Sequence, residues 1–444
     1  MGPIPSTPLP GNAVSRRRFL SALGISAAAI GSTSVLSACG GGSSGLSGDE
    51  GGSGGGKKAT LNVWYHQYGE AGTQQAVERY AKEFPDATVK VQWTPGDYTS
   101  KVNSGLLSNN GPDSFEGTPN LQQVKADQIV PLDDILADVK SDYTEADIKS
   151  ITVEGKMYGA RIVDDCTLIY YRKSMLDKAG VKPPTTLDEL VAAAKELTTK
   201  DVKGLFIGND AGATPAFGGG SMLGPVLWSV GQNYLTDDNK INFTGDNVAK
   251  AMMKLRKLVT DKSILLGAPT DYWDSGSFTQ GLCAMQYTGL WAMPIIQKAI
   301  GDDFGVVPFP AFSDSVGKPS TAQGGWAAMV SKKSKNVELA KKYVKWLWVD
   351  NTKDQEDYNL SYGFHVPPRK SLAAKASKLQ SGPAAEAVKI FNDYAIAGGT
   401  TWTTEMNTAW GDAMTAVIRK GKDPDASIAT AEKAVQKILD KLLG

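Results

Sequence analysis

The apolar positions of this chain change period in a way that names its elements. Thr60 to Tyr65 reads as a strand, and Val89, Val91 and Trp93 alternate as the next one. Between them Ala76, Val77, Tyr80, Ala81 and Phe84 recur at helical spacing up to Pro85. This β-α-β order predicts an α/β fold with a mostly parallel sheet and helices on both faces. Leu282 to Tyr287 is a short apolar run ended by Thr288-Gly289, which predicts a buried strand. Thr186 to Glu189 is a capping box opening a helix with Leu187, Leu190, Val191, Ala194 and Leu197 on one face. Further stripes predict a helix capped by Asn336, a helix from Gly411 to Lys420, and a last helix carrying Ile428, Ala431, Val435, Ile438 and Leu442. Phe206 to Asn233, rich in Gly, is read as a loop and helix.

Ligands of open α/β sheets collect beyond the carboxyl ends of the strands, so strand ends supply the candidate chemistry. Trp64, Tyr65 and His66 lie where the first strand runs out; alternation sends one aromatic into the core, and Trp64 is assigned there, leaving Tyr65 for a ligand. Glu116 sits between a strand and a Gly turn, as an acceptor for ligand hydroxyls or as an ordinary solvated loop carboxylate. Trp291, just beyond Gly289, is either a stacking surface or a core residue in a turn. Tyr272-Trp273-Asp274 adds an exposed-looking aromatic and acid cluster.

Composition narrows the classes. The 444 residues suffice for two or three domains, and 47 basic against 47 acidic residues gives no sign of a nucleic-acid partner. Only two His occur, with no metal-spaced Cys or His cluster, Gly-rich phosphate loop or nucleophile elbow. No cofactor, metal or catalytic residue is expected. Glu116 and Asp165 can still be posed as a glycosidase pair, a weaker alternative to ligand binding.

The amino terminus carries an address. Ser15-Arg16-Arg17-Arg18-Phe19-Leu20 is a twin-arginine export signal, followed by the moderately apolar run Leu20 to Leu36. Leu36-Ser37-Ala38-Cys39 resembles the lipobox of bacterial lipoproteins, which implies signal cleavage after residue 38 and acylation at Cys39. Residues 40–58 are nearly all Gly and Ser, a flexible tether spanning roughly 25 Å. The expected product is exported and lipid-anchored to the outer face of the cell membrane. Cys166 and Cys283 remain, in a compartment that permits a disulfide but does not require one.

A spaced set of motifs covers nearly the whole mature chain: Gly111-Pro112-Asp113, Ile129-Val130-Pro131-Leu132-Asp133, Gly155-Lys156-Met157-Tyr158-Gly159, Tyr170-Tyr171-Arg172-Lys173, Ala179-Gly180, Pro183 to Leu190, and Phe278 to Trp291. In order and spacing it resembles the family 1 extracellular solute-binding proteins of ABC importers, the maltose-binding-like group. Tyr171-Arg172 departs from the usual Tyr-Asn, in a strand where the fold should tolerate it. The resemblance implies a type II two-lobed fold: lobe 1 from residues 59–164 and 326–372, lobe 2 from 165–325 and 373–444, with a ligand cleft between them. It implies crossings at Asp164-Asp165 and at Gly324-Gly325-Trp326, and it aligns Trp410 with a position that stacks on a bound sugar. The candidate contacts are then Tyr65, Tyr98, Glu116, Asp165, Trp273, Trp291, Gly325, Trp326 and Trp410, with Cys39 the lipidation site. The implied function is capture of a carbohydrate for a membrane permease by a monomeric receptor. Glycerophosphodiesters and polyamines are alternatives within the same fold, a phosphate wanting Arg and a polyamine wanting more carboxylates.

Overall fold

Leu61, Val63 and Tyr65 project to one side of the strand Thr60–His66 and Trp64 to the other, and both sides find apolar partners. This strand pairs in parallel with Thr88–Thr94, Thr60 opposite Thr88 through His66 opposite Thr94, across the helix Thr73–Glu83. It also pairs in parallel with Ser114–Gly117. The strand Gly324–Val330 then runs antiparallel between Ser114–Gly117 and Ala160–Asp165, completing five strands. Sequence patterning foresaw the parallel half; the antiparallel half arises because a distant part of the chain returns to the sheet. Tyr65, Tyr80, Tyr343 and Trp348 fill one side of this sheet, and Trp64, Tyr98, Val102 and Phe115 the other. The computed structural model describes residues 58–209, 217 and 222–444, so the expected export signal, Cys39 and most of the tether lie outside the described residues.

A second sheet takes the order Gly305–Val307, Thr167–Tyr171, Cys283–Gly289, Lys203–Phe206. Thr167–Tyr171 is antiparallel to both neighbours, and Lys203–Phe206 is parallel to Cys283–Gly289. Ile169, Leu205 and Tyr287 pack into one core; Leu168, Tyr170 and Phe206 pack into another. The helix Leu187–Glu196 begins with the expected capping box, Thr186 Oγ1 accepting from the Glu189 N–H while the Glu189 carboxylate accepts from the Thr186 N–H. Arg172 follows the strand end, pairing with Asp303, and leaves the fold intact.

The sheets are joined where Asp165 ends one strand and Thr167 begins another. Two further passages lie alongside: Thr321–Ala322 pairs with Ala395–Ile396 just before Gly324, and Asp164 exchanges backbone hydrogen bonds with Val366 at 2.9 and 3.0 Å. The body is therefore two α/β lobes on a bundle of crossing segments.

Cys166 and Cys283 are both free and buried. Leu290 donates its N–H to the Cys166 carbonyl, seven residues along the strand from Cys283, so the two cysteines stand roughly 20 Å apart and no bridge can form. Burial also raises both thiols above their ordinary range. Neither should react with a thiol reagent in the native body, and both should react in denaturant. Reductant should leave the unfolding midpoint unchanged.

Candidate functional site

The carboxyl ends of the parallel strands Thr60–His66 and Ser114–Gly117 meet at Glu116. The pairing of Trp64 with Phe115 carries Glu116 to the end of the neighbouring strand, where its side chain is 1% exposed. Its Oε2 accepts from the His66 N–H at 3.0 Å and from His66 Nδ1 at 2.8 Å; its Oε1 accepts from the Tyr68 hydroxyl at 2.5 Å. Tyr98 braces this end, its hydroxyl donating to the Trp64 carbonyl at 2.9 Å and accepting from the Glu116 N–H at 3.1 Å. The His66 ring lies between Tyr68, centroids 3.9 Å apart, and Trp326, stacked at 4.3 Å and 27°. The Tyr98 ring meets Trp326 edge-on at 5.9 Å. Burial, then the Glu116 charge, raises the Tyr68 hydroxyl well above its usual range, so it stays a donor.

The crossing segments are held by two buried charge clusters. Arg161 donates through Nε to Asp164 at 2.8 Å, contacts the same carboxylate through Nη2, and reaches the carbonyls of Gly324 at 2.7 Å and Val163 at 3.2 Å. Gln323 ties this strand to Asp147 at 3.0 Å. In the second cluster His365 Nδ1 lies 2.9 and 3.0 Å from the two Asp165 oxygens, and its Nε2 lies 3.0 Å from Glu70 Oε1. Burial works against the imidazolium, yet the two carboxylates prevail and raise His365 to about 10. Burial likewise pulls Asp165 upward, opposed by His365.

The second lobe brings tryptophans. Trp291 folds back over Gly289, where an added Cβ would meet the ring at 1.9 Å, so only glycine fits beneath it. Trp291 Nε1 donates to the Trp273 carbonyl at 3.0 Å. Trp273 is 47% exposed, and its ring edge would lie 3.6 Å from a Cβ at Gly69, one residue beyond Tyr68. Trp273 thus reaches the segment that follows His66 and Tyr68, and its carbonyl holds Trp291 beside it.

Of the expected contacts, the structure groups Tyr98, Glu116, Trp273, Trp291 and Trp326 in this region, with Asp165 and Gly325 at the crossing. Two fall elsewhere. Tyr65 is 1% exposed in the first-lobe core, because helices cover both faces of its strand and alternation leaves neither aromatic open. The residue that emerges is His66, the last in the strand. Trp410 is fully buried in the helix Thr404–Met414, its Nε1 donating to the Leu223 carbonyl at 2.9 Å and its ring packed on Phe243. Glu116 and Asp165 are already engaged by His66, Tyr68 and His365 rather than open to a ligand. Partly open instead is Trp402, stacked on Tyr234 at 4.5 Å and 15° in the Gly398-Gly399 loop. That loop reaches the first lobe where the Leu121 N–H donates to the Thr400 carbonyl at 2.8 Å. The Gly-Gly pair before the helix cap Thr403 was the sequence signal for this loop. Among the described residues no group of His, Cys, Asp and Glu is arranged to hold a metal ion, and no helix is long and apolar enough to cross a membrane.

Two α/β lobes joined by crossing segments, with aromatics gathered where they face each other, define a solute-binding protein. The family described as bacterial extracellular solute-binding protein matches residues 65–348, and the chain belongs to it. Its members bind rather than transform their solutes, and the chain is an exported binding protein and not an enzyme. It is 27% identical to the diacetylchitobiose binding protein DasA of Streptomyces coelicolor, covering 96% of this chain and 99% of that one. It is 26% identical to the lactose-binding protein of Rhizobium radiobacter, in a match spanning 53% of this chain and 56% of the relative. Among solved structures it resembles an ABC transporter solute binding protein of Thermotoga lettingae bound with alpha-D-tagatose, at 21% identity and a TM-score of 0.72, over 86% of this chain and all of that one.

Proposed function

We propose that the chain is the receptor of an ABC importer that captures a carbohydrate between its lobes and delivers it to a membrane permease. The observation that carries this reading is the set of open aromatics, Trp273, Trp291 and Trp326, around charged groups that are already neutralised. Aromatic planes suit the C–H faces of sugar rings, while charges paired internally leave nothing uncompensated for an ionic solute. Arg161 is committed to Asp164 and Arg369 to Asp142, which removes the phosphate partners that a glycerophosphodiester would need. Glu116 and Asp165 carry internal donors, which removes the acceptors that a polyamine would need. The names of the relatives, lactose-binding and diacetylchitobiose binding, agree with a neutral sugar. Residues 59–164 with 326–372 and residues 165–325 with 373–444 serve as the two closing lobes. Acylation at Cys39, after export through the twin-arginine signal, would hold this monomeric receptor at the outer face of the membrane.

The test is a thermal-shift and calorimetric screen of residues 59–444 against mono-, di- and trisaccharides, polyols, glycerophosphodiesters and polyamines. A solute present at a hundred times its dissociation constant should stabilise the body by about 2.7 kcal/mol. Trp326→Ala should weaken the responding sugar by roughly tenfold to a hundredfold, while Trp410→Ala should act on stability first. A response confined to charged solutes would overturn the carbohydrate reading.

A further inference from the structure

We propose that His66 is a specificity-determining contact in this cleft, its Nε2 accepting a hydrogen bond from a ligand donor; this deepens, and rests on, the carbohydrate reading above. Both faces and the Nδ1 edge of the imidazole are occupied. One ring face lies under Tyr68 at 3.9 Å and the other against Trp326 at 4.3 Å. The Nδ1 edge is taken by Glu116 Oε2 at 2.8 Å. The side chain nevertheless keeps 18% of its surface open, and the edge left to meet a ligand is the one that carries Nε2 with its two neighbouring ring carbons.

The direction of the bond follows from Glu116. Three donors converge on its two oxygens: the His66 N–H, His66 Nδ1 and the Tyr68 hydroxyl. A carboxylate in that position only accepts, so Nδ1 carries a proton, and in the tautomer this selects Nε2 presents a lone pair. A sugar hydroxyl or acetamido N–H can donate to it; an ether oxygen at the same place cannot, and would leave Nε2 facing a second lone pair. Glu116 is thus a positioning residue that fixes the tautomer without touching the ligand. The site discriminates between a free hydroxyl and its O-methyl ether by leaving a polar group unpaired in the latter.

The experiment uses the full chain, whose only two histidines are His66 and His365, so ring-¹⁵N labelling gives two readable imidazoles. The expected unliganded spectrum has His66 protonated on Nδ1 and bare at Nε2, and saturation with whichever of maltose, lactose or N,N′-diacetylchitobiose binds should shift the Nε2 resonance. His66→Asn places an amide near the Nδ1 position, keeping a partner for Glu116 while removing Nε2. It should lower the affinity for that sugar about tenfold in a body that still unfolds cooperatively. His66→Gln should restore part of that loss, since its amide reaches the Nε2 position. A proton on Nε2 in the unliganded protein, an unmoved Nε2 resonance on saturation, or wild-type affinity in His66→Asn would each overturn the inference while leaving the carbohydrate reading intact. Failure of the wild type to bind any sugar in the screen would remove both. If His66→Asn does not fold, the wild-type spectra decide.

Discussion

Gly325→Ala should destabilise the body by about 3 kcal/mol or more, the largest loss expected from adding a single methyl group anywhere in the crossing segments. Gly325 holds φ at +99°, outside the range that an alanine adopts without strain. Space is a second obstacle. A Cβ built there would stand 2.0 Å from the Val163 carbonyl oxygen, 2.7 Å from Arg161 Nη2 and 2.9 Å from Asp164 Cα. Two of these are backbone atoms of the paired strand Ala160–Asp165, which cannot swing aside as a flexible side-chain end would. Relief requires the pairing of Gly325 with Asp164 to open, and with it the Arg161 contact to the Gly324 carbonyl. Gly324→Ala is the matched control. Its φ is not positive and its nearest contact is 3.3 Å, so it should cost about 1 kcal/mol. Urea unfolding followed by tryptophan fluorescence reads both, and equal losses in the two variants would show that the crossing yields freely at Gly325. A second expectation follows from the same geometry. Because Gly325 joins the segments about which the lobes would close, residual binding in a folded Gly325→Ala should be weaker than in wild type.

How much of this was legible in the sequence depended on what each residue's signal reported. Period reports which faces are apolar, and it placed the strand Cys283–Gly289 to within two residues, the helix Thr73–Glu83 by its apolar stripe and its stop before Pro85, and the helix opened by the capping box at Thr186. Period does not report whether a strand is central or at an edge. Thr60–His66 is paired on both sides and covered on both faces, so the alternation argument that left Tyr65 open had no open face to assign. Chemistry type gave Glu116 and Asp165 as acceptors, yet their donors lie 50 and 200 residues away, at His66 and His365, and no local pattern carries such a pairing. For Trp410 the resemblance implies a stacking surface, whereas a helical stripe of core neighbours argues the opposite. The sequence leaves a bridge between the two cysteines undecided because strand register sets their separation, and register emerges only when the strands are paired.

His365→Gln should cost about 3–5 kcal/mol near neutral pH. The substitution leaves Glu70 and Asp165, both nearly buried, without the cation between them. In the wild type the two carboxylates hold the His365 imidazole protonated up to about 10, well above its ordinary value near 6.5. A group whose folded value is raised contributes stability that is fully present below its unfolded value and is lost as pH rises through its folded value. The His365 contribution, a few kcal/mol, should therefore be intact at about pH 6 and gone above about pH 10. Asp164 bends the wild-type curve the same way, since burial, opposed by Arg161, raises it to about 8. The contribution of Asp164 is complete below the unfolded value near 4 and declines as pH rises through about 8. The difference between wild type and His365→Gln does not isolate the imidazole, because Asp165 and Glu70, left buried without a cation, titrate upward in the variant and lower its stability as pH rises. The imidazole is read directly instead: its ring-¹⁵N resonances in the folded wild type should titrate at about 10. Titration near the ordinary value of about 6.5 would remove the ion pairs from any account of how the crossing segments are held together.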